Sequence, residues 1–94
     1  MDRDSLHFFL LETIHETYKR KNAAYGNSFD KSIDKYGYTA ALVRMEDKKN
    51  RLDQLLMQGG AEDDEAIEDT CLDLANYAIM LAMYYMGKKA PSRD

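Results

Sequence analysis

The chain has 94 residues, enough for one domain, and its 45% hydrophobic content is typical of a globular protein. Its net charge is −4 without a dense basic surface, which argues against duplex nucleic acid as a partner but permits a small phosphorylated ligand. No apolar run is long enough to cross a bilayer and no signal peptide precedes the first helix, so we expect a cytoplasmic protein with no membrane partner.

A first long helix is predicted over about residues 5–22 because apolar residues recur there at helical spacing, on a face made of Leu6, Leu10, Ile14 and Tyr18. Asp4 or Ser5 is expected to cap its first turn. The helix is expected to end in the basic run Lys19–Lys21. Such a run suits the negative end of the helix dipole and could equally contact a phosphate, so both interpretations stay open.

A turn and a short helix are predicted next. Gly26 interrupts a stretch of turn-forming residues, Ser28 can begin the short helix, and Gly37 can end it. This stretch contains aromatic residues interleaved with two lysines: the aromatics are Tyr25, Phe29, Tyr36 and Tyr38, and the lysines are Lys31 and Lys35. Aromatic rings beside cations suit stacking on a nucleobase with a phosphate nearby, whereas aromatics at helical spacing more often form a core.

A second long helix is predicted over about residues 39–58, ended by Gly59 and Gly60, with an apolar face made of Ala41, Leu42, Met45, Leu52, Leu55 and Leu56. Lys49 is predicted to project close to the middle of that face, where an unpaired ammonium group would be costly. Glu46 and Asp53 border the lysine on one side.

A third long helix is predicted over about residues 64–86, followed by a polar tail at residues 88–94. It is apolar nearly all round, so we expect it to be buried, with the lone Cys71 as a small core residue outside any disulfide. Asp69, Asp73 and Asn76 lie along the edge of its apolar stripe. If buried, they need partners, which can be a metal, a ligand or basic residues of a neighbouring helix.

These elements predict an all-α fold, a small bundle of three long helices and one short helix within a single domain at residues 1–87. Seven tyrosines, three phenylalanines and six methionines are more large apolar side chains than so small a bundle can bury. We therefore expect a homo-oligomer, a dimer or a tetramer, with the ligand pocket formed at a subunit interface.

The two later long helices are joined by a short loop and are expected to pack antiparallel. This arrangement would place Glu46 and Lys49 opposite some part of Glu65, Asp69 and Asp73. Carboxylates on facing helices can hold magnesium together with substrate phosphates. Alternatively, Lys49 could neutralise these acids in a buried salt bridge and leave no metal site.

Three ordered blocks of the sequence resemble the signature of a known family: Lys21–Phe29 (KNAAYGNSF), Ala41–Lys48 (ALVRMEDK) with Asn50–Leu52 (NRL), and Asp64–Thr70 (DEAIEDT) with Asp73–Ala78 (DLANYA). The family is the first of the nucleotide-modification-associated domain families, small α-helical proteins common in phages and prophages. The resemblance implies a nucleotide as the ligand class, and it does not specify a reaction.

A looser similarity runs to the all-α nucleotide pyrophosphatases of the MazG and dimeric dUTPase type. Those enzymes carry ExxE on one helix and ExxD on the next, and they bind magnesium over the phosphates. Here Lys49 and Asn50 stand where a further acid is wanted after Glu46, and Thr70 stands three residues before Asp73. The resemblance therefore implies the scaffold of that superfamily with reduced metal chemistry.

The favoured hypothesis is a phage-type sponge that sequesters a cyclic di- or oligonucleotide immune signal, without cleaving it and without a cofactor, in an infected or lysogenic bacterium. The expected ligand contacts are Lys21, Tyr25, Phe29, Lys31, Tyr36, Arg44, Lys49, Asp69, Asp73 and Asn76. The alternative is a magnesium-dependent nucleotide pyrophosphohydrolase, or an accessory for modified nucleotides, with the metal shared by Glu46, Glu65, Asp69 and Asp73. A third hypothesis is a purely structural oligomer that binds a host protein.

Overall fold

The computed structural model describes residues 1–58 and 64–89, and within them the chain forms four helices and no strand. They are α1 (Arg3–Tyr25), α2 (Ser28–Tyr36), α3 (Thr39–Gln58) and α4 (Asp64–Lys89). The predicted all-α bundle of three long helices and one short helix is therefore confirmed. The predicted helix end at Gly59 and Gly60 lies outside the described residues, as does the tail from residue 90 onward.

Helix α1 is longer than predicted at both ends. Its N-cap is Asp2, not Asp4 or Ser5: the backbone N–H of Ser5 donates to Oδ1 of Asp2 at 2.7 Å. This hydrogen bond to the charged carboxylate holds the pKa of Asp2 below its usual value. At the other end the helix continues through two alanines, which are strong helix formers, so the basic run Lys19–Lys21 lies within the helix.

A tight turn between α1 and α2 brings their adjoining ends together. Gly26 and Asn27 both adopt left-handed conformations, with φ of 59° and 60°. Glycine and asparagine are the residues that tolerate this region best. The N–H of Gly26 donates to the carbonyl of Asn22 at 2.8 Å and ends α1, while Asn27 occupies the N-cap position of α2.

Helices α3 and α4 form the most extensive helix–helix contact and run antiparallel, as predicted. Near one end the ring of Tyr38 stacks on that of Tyr85, with centroids 5.1 Å apart. Further along, Nζ of Lys48 lies 3.0 Å from Oδ2 of Asp73. Helix α2 packs against α3 and completes a small core of Phe29, Ile33, Ala41 and Tyr84, against which Tyr77, Met80 and Leu81 pack.

Helix α1 lies along α4 and runs in the same direction. Residues 13–25 of α1 face residues 69–80 of α4 across two clefts, and Ile14 is the buried residue of α1. The first turns of α1 leave Leu6, Phe8, Phe9 and Leu11 exposed. The predicted apolar face of α1 is therefore only partly covered within one chain.

Two predictions of burial are wrong, those for Cys71 and Lys49. Tyr36, a predicted ligand contact for which a core position stayed open, is 67% exposed, because the short α2 directs only Phe29 and Ile33 into the core. Cys71 is exposed, because the face of α4 on which it lies has no covering helix among the described residues. Lys49 is also exposed and pairs with Asp53 one turn along its own helix, at 2.8 Å, so Lys48 is the lysine that faces α4.

The prediction that α4 is buried nearly all round is wrong for the single chain, since Ile79, Met83, Tyr85 and Met86 are all exposed. Among the described residues, α3 makes the most extensive contact with α4, α1 lies along another side, and α2 packs Phe29 and Ile33 near Tyr84. In residues 1–58 and 64–89, no helix combines the length and the apolar character needed to span a membrane.

Gly37→Ala is expected to lower the free energy of unfolding by about 1–3 kcal/mol, because φ of 81° with ψ of −174° is essentially restricted to glycine. Nothing lies within 4 Å of the added Cβ, so backbone strain is the whole cost. Gly87→Ala is the matched control: inside α4, with equal space, it should raise stability by roughly 0.5–1 kcal/mol. Urea unfolding measures both, and shifts of the same sign would contradict this account.

A second prediction concerns the contact between α2 and α4. The hydroxyl of Tyr84 donates to Oδ1 of Asp34 at 2.6 Å, and this hydrogen bond raises the pKa of Tyr84. Because the folded state favours the neutral phenol, this stabilisation is complete below the unfolded pKa of about 10 and is lost as the pH rises through the folded pKa. The stability difference between the wild type and Tyr84→Phe should therefore persist up to about pH 10 and shrink as the pH rises further. A difference that does not change with pH would contradict the contact.

Candidate functional site

A cleft of about 330 Å³ opens between α1, α2 and α4, and we call it the main cleft. Two helical stripes form its opposite walls, and each has the spacing i, i+3, i+4, i+7 of one helix face. The α1 wall is made of Tyr18, Lys21, Asn22 and Tyr25, and the α4 wall is made of Asp73, Asn76, Tyr77 and Met80. Asn27, Ser28, Phe29 and Arg44 close the end of the cleft.

Four aromatic residues line the main cleft: Phe29 is buried, Tyr18 and Tyr77 are partly buried, and Tyr25 is exposed. Phe29 is 5% exposed and stacks on Tyr77 with centroids 6.0 Å apart and an interplanar angle of 16°. Its ring also lies 5.6 Å from the guanidinium carbon of Arg44. Tyr25, in the last turn of α1, is 70% exposed. Tyr25 is therefore the ring best placed to stack on an incoming planar group.

The cationic side of the main cleft is partly preorganised. Nη2 of Arg44 donates to Oγ of Ser32 at 3.1 Å, and this hydroxyl in turn donates to the carbonyl of Ser28 at 2.9 Å. The guanidinium is thus held beside the first turn of α2. The side chain of Asn27 makes no capping hydrogen bond there. The backbone N–H groups of that turn therefore lack a side-chain acceptor and favour an anion. Lys21 adds a second, exposed cation.

Two polar side chains of α4, Asp73 and Asn76, lie one turn apart on the wall of the main cleft. Oδ2 of Asp73 accepts a hydrogen bond from Nζ of Lys48 at 3.0 Å, and both side chains are about one third exposed. The lysine that neutralises Asp73 is thus Lys48 and not the predicted Lys49. A single helix pattern cannot show which of two adjacent lysines faces the partner helix, because packing sets the rotation of α3.

A second cleft of about 260 Å³ adjoins the main one along the groove between α1 and α4. It shares Lys21, Asp73 and Asn76 with the main cleft, so the two form neighbouring parts of one surface. Its other lining residues are Thr13, Ile14, Thr17, Arg20, Asp69 and Leu72. The hydroxyl of Thr13 already donates to the carbonyl of Phe9 at 2.9 Å.

The structure brings most of the predicted ligand contacts together. Six of them line the main cleft, namely Lys21, Tyr25, Phe29, Arg44, Asp73 and Asn76, and Asp69 lines the second cleft. Lys31, Tyr36 and Lys49 line neither cleft. The nitrogen of Lys35 lies 5.2 Å from the ring centre of Tyr36, away from both clefts.

Several lining residues were not predicted, among them Tyr18, Asn22, Asn27, Ser28 and Met80. The sequence could have indicated Tyr18 and Asn22, because their spacing places them on one helical face with Lys21 and Tyr25. No such spacing marks the turn residues Asn27 and Ser28. Their position depends on how the left-handed turn at Gly26 and Asn27 folds α2 back against α1.

The four carboxylates predicted to share magnesium are Glu46, Glu65, Asp69 and Asp73, and the structure does not assemble them. Over residues 1–58 and 64–89, no three His, Cys, Asp or Glu side chains form a group able to hold a metal ion. Glu46 and Glu65 are exposed, and Asp73 is engaged by Lys48. Because magnesium over phosphates needs several carboxylates in one place, the described residues do not fit such a site.

Comparison with known proteins places the chain in a family. The family profile described as nucleotide modification associated domain 1 matches residues 21–84. The matched range contains every residue of the main cleft except Tyr18. Comparisons with curated proteins and with solved structures found no significant match. Since the matched range covers well over half of the chain, this protein belongs to the nucleotide modification associated domain 1 family.

Proposed function

We propose that the chain captures a nucleotide in the main cleft and holds it without cleaving it. One observation supports this most strongly: the cleft places an accessible aromatic ring, two cations and a pair of base-recognising polar groups on one surface. A nucleotide needs these same groups, since its base offers a flat face and a polar edge and its phosphate is anionic. The family to which the chain belongs is consistent with such a ligand.

In the proposed complex, each group of the cleft contacts a different part of the nucleotide. The base stacks on Tyr25, an interaction worth about 1–3 kcal/mol per base in other proteins. The phosphate lies between Lys21, Arg44 and the first-turn amides of α2, where charge-assisted hydrogen bonds each contribute about 1.5–3 kcal/mol. The edge of the base faces Asp73 and Asn76 on α4.

The engagement of Asp73 supports capture over hydrolysis. Pyrophosphohydrolases of the MazG type group their carboxylates over magnesium. Here Lys48 engages Asp73, and in the described residues no three acidic, His or Cys side chains form a group able to hold a metal ion. The magnesium-dependent pyrophosphohydrolase, or an accessory for modified nucleotides, rests on the sequence resemblance. It remains the alternative that the experiment below distinguishes.

The proposed ligand is a cyclic di- or oligonucleotide immune signal, which makes the protein a phage-type sponge in the cytoplasm of an infected or lysogenic bacterium. The volume of the main cleft, about 330 Å³, is near the lower limit of small-molecule pockets and suits one nucleotide unit. The adjoining cleft of about 260 Å³ shares three residues with it and offers room for a second unit.

We further propose that the protein acts as a homo-oligomer, a dimer or a tetramer. Its accessible surface is 7342 Å². A compact monomer of this mass exposes only about 5,600 Å². Large apolar side chains are exposed on α1 and α4, among them Phe8, Phe9, Ile79 and Met83. Light scattering after gel filtration tests this, and a single species of about 11 kDa would contradict it.

The experiment for the main proposal incubates the full chain with nucleoside triphosphates and cyclic dinucleotides, with and without magnesium. The mixture is filtered, the retained protein is denatured, and both fractions are chromatographed. Intact nucleotide that is released only on denaturation, in a fixed ratio to protein, is the expected result. Magnesium-dependent monophosphate and pyrophosphate would instead establish the enzyme, and ligands that pass through unbound and unchanged would indicate a structural protein.

A further inference from the structure

Helix α1 carries a second row of large side chains on a side that stays largely exposed. Its extensive contact is with α4, through the face on which Ile14 is buried. On another face, side chains recur at alternating steps of three and four residues, the spacing of a helix that packs lengthwise on a second helix. We call this row the outer seam, and its members are Phe8, Leu11, His15, Tyr18, Asn22 and Tyr25.

The outer seam is accessible along its length. Phe8 is 61% exposed, Leu11 45% and Tyr25 70%, and His15 is exposed as well. Tyr18 is partly buried, and its ring stacks on that of His15 with centroids 6.5 Å apart. A continuous row of accessible aromatic and aliphatic side chains is typical of a protein–protein contact.

We propose that the outer seam packs antiparallel on the outer seam of a second copy, and that each copy thereby completes the main cleft of the other. Tyr18, Asn22 and Tyr25 belong to the seam and also line the main cleft. A helix that lies on the seam therefore lies beside the mouth of the cleft. For the nucleotide this inference rests on the proposed function, and it goes beyond it by naming the contact between copies and the residue that the partner supplies.

The occupant is a second copy because the seam complements itself when its direction is reversed. Full overlap of two antiparallel seams gives three kinds of layer, and two-fold symmetry repeats each of them. The facing pairs are Phe8 with the partner's Tyr25, Leu11 with the partner's Asn22, and His15 with the partner's Tyr18. Aromatic rings meet in two of these layers. In the third, a polar residue at one seam position fixes the register at some cost in stability.

Charges beside the seam favour the antiparallel direction. Glu12 and Lys19 are exposed on one flank of the seam, one heptad apart. In an antiparallel pair equivalent flanks meet, so Glu12 faces the partner's Lys19 and the contact occurs twice. A parallel pair would instead set Lys19 against the flank that carries Ile14. In the single chain Lys19 pairs with Glu16 at 3.1 Å, and both side chains remain more than half exposed.

The surface of the chain is large enough for such a contact. Its 7342 Å² exceeds the surface of a compact monomer of this mass by more than the roughly 800 Å² that each partner buries in a standard interface.

Phe8 is the residue that each copy supplies to the other. The partner's Phe8 lies beside Tyr25 at the mouth of the main cleft, so a base that stacks on Tyr25 gains a second ring and loses contact with water. Phe8 of the same chain cannot take this place, because it lies about 25 Å from Tyr25 along α1.

Cross-linking tests the contact without any nucleotide. Phe8→Cys and Tyr25→Cys, each in the full chain with Cys71→Ser to remove the exposed native thiol, are mixed and mildly oxidised. The mixture is expected to form a covalent dimer, and neither variant is expected to do so alone, because position 8 faces position 25 of the partner. Cross-linking of each variant with itself would indicate a parallel pair and overturn the inference, as would a mixture that does not cross-link. Phe9→Cys is the matched control: Phe9 is 50% exposed but lies off the seam, so it should not cross-link to Tyr25→Cys.

Calorimetric titration with GTP and cyclic di-GMP tests the shared cleft. Phe8→Ala and Tyr25→Ala should each weaken binding by about 5- to 100-fold, the range for one base–aromatic stack, and Phe9→Ala should bind within about threefold of the wild type. In a random mixture of Phe8→Ala and Tyr25→Ala, about half of the dimers are mixed and one of their two sites keeps both rings, so about a quarter of the wild-type capacity should return. Wild-type binding by Phe8→Ala, or a mixture that regains nothing, would overturn the shared cleft and leave capture within one chain standing. A wild type that binds neither nucleotide would overturn capture itself, whatever the cross-linking shows.

Discussion

Lys21→Glu is expected to weaken nucleotide binding by about 100-fold or more. Lys21 is the residue that lines both clefts from the α1 side. Reversing its charge removes a charge-assisted contact with the phosphate and adds a negative charge that repels it. The loss of one such contact corresponds to about 1.5–3 kcal/mol, and repulsion adds to it. Stability should change by less than about 1 kcal/mol, because the side chain is exposed near the end of a helix and only its interaction with the helix dipole is affected.

Calorimetric titration of Lys21→Glu with the nucleotide that the wild type binds best measures this loss. Lys35→Glu is the matched control, since it reverses a charge at the corresponding end of α2, outside both clefts. The control should bind within about threefold of the wild type, a change of less than about 0.7 kcal/mol. Equal losses in the two variants would show that overall charge, and not the main cleft, attracts the ligand.

Ile33→Ala is expected to lower the free energy of unfolding by about 2–5 kcal/mol. Ile33 is 3% exposed in the core between α2, α3 and α4, and truncating it removes apolar contact and leaves a cavity. A chain of this length has a total stability of roughly 5–14 kcal/mol, so the loss is a large share of it. Denaturant unfolding followed by circular dichroism measures the change.

Leu42→Ala is the control for this core. Leu42 is 57% exposed on α3, so within one chain its truncation should cost less than about 1 kcal/mol. If it cost as much as Ile33→Ala at every protein concentration, the described core would be wrong. A cost that shrinks as the protein is diluted would instead place Leu42 in a contact between copies, because that contact is lost once the oligomer dissociates.

The sequence predicts α2 and α3 closely because strong local signals mark their ends. Gly37 ends α2 in a conformation that glycine alone adopts readily, and α2 and α3 begin at the predicted Ser28 and Thr39. Helix α1 is less well predicted at its start because Asp2, the residue that caps it, stands close to the predicted caps Asp4 and Ser5 in the sequence. The capping geometry decides between them only in three dimensions.

Side-chain environments are harder to predict than helix ends because they depend on how the helices pack. The periodicity of α3 places both Lys48 and Lys49 near its apolar face, and the rotation of α3 against α4 makes Lys48 the partner of Asp73. The exposure of Tyr36 and Cys71 has the same origin, since each lies on a face that no helix covers within one described chain.

The types of residue in the candidate site could be predicted from the sequence, but their meeting in one cleft could not. Chemistry-bearing residues such as Lys21, Tyr25 and Asp73 stand out in the sequence as cations, rings and acids. That they meet in one cleft depends on α1 running parallel to α4 and on the turn at Gly26 and Asn27, and neither is encoded in the spacing of a single helix.

The most direct test of the main cleft as the nucleotide site is a nitrogen–proton NMR titration of the labelled full chain with GTP and with cyclic di-GMP. We expect the largest amide shifts in residues 18–29 and 73–80, which form the two walls and the end of the cleft. Shifts concentrated around Tyr38 and Tyr85, at the opposite end of the α3–α4 contact, would contradict the proposed site, as would a spectrum unchanged by either nucleotide.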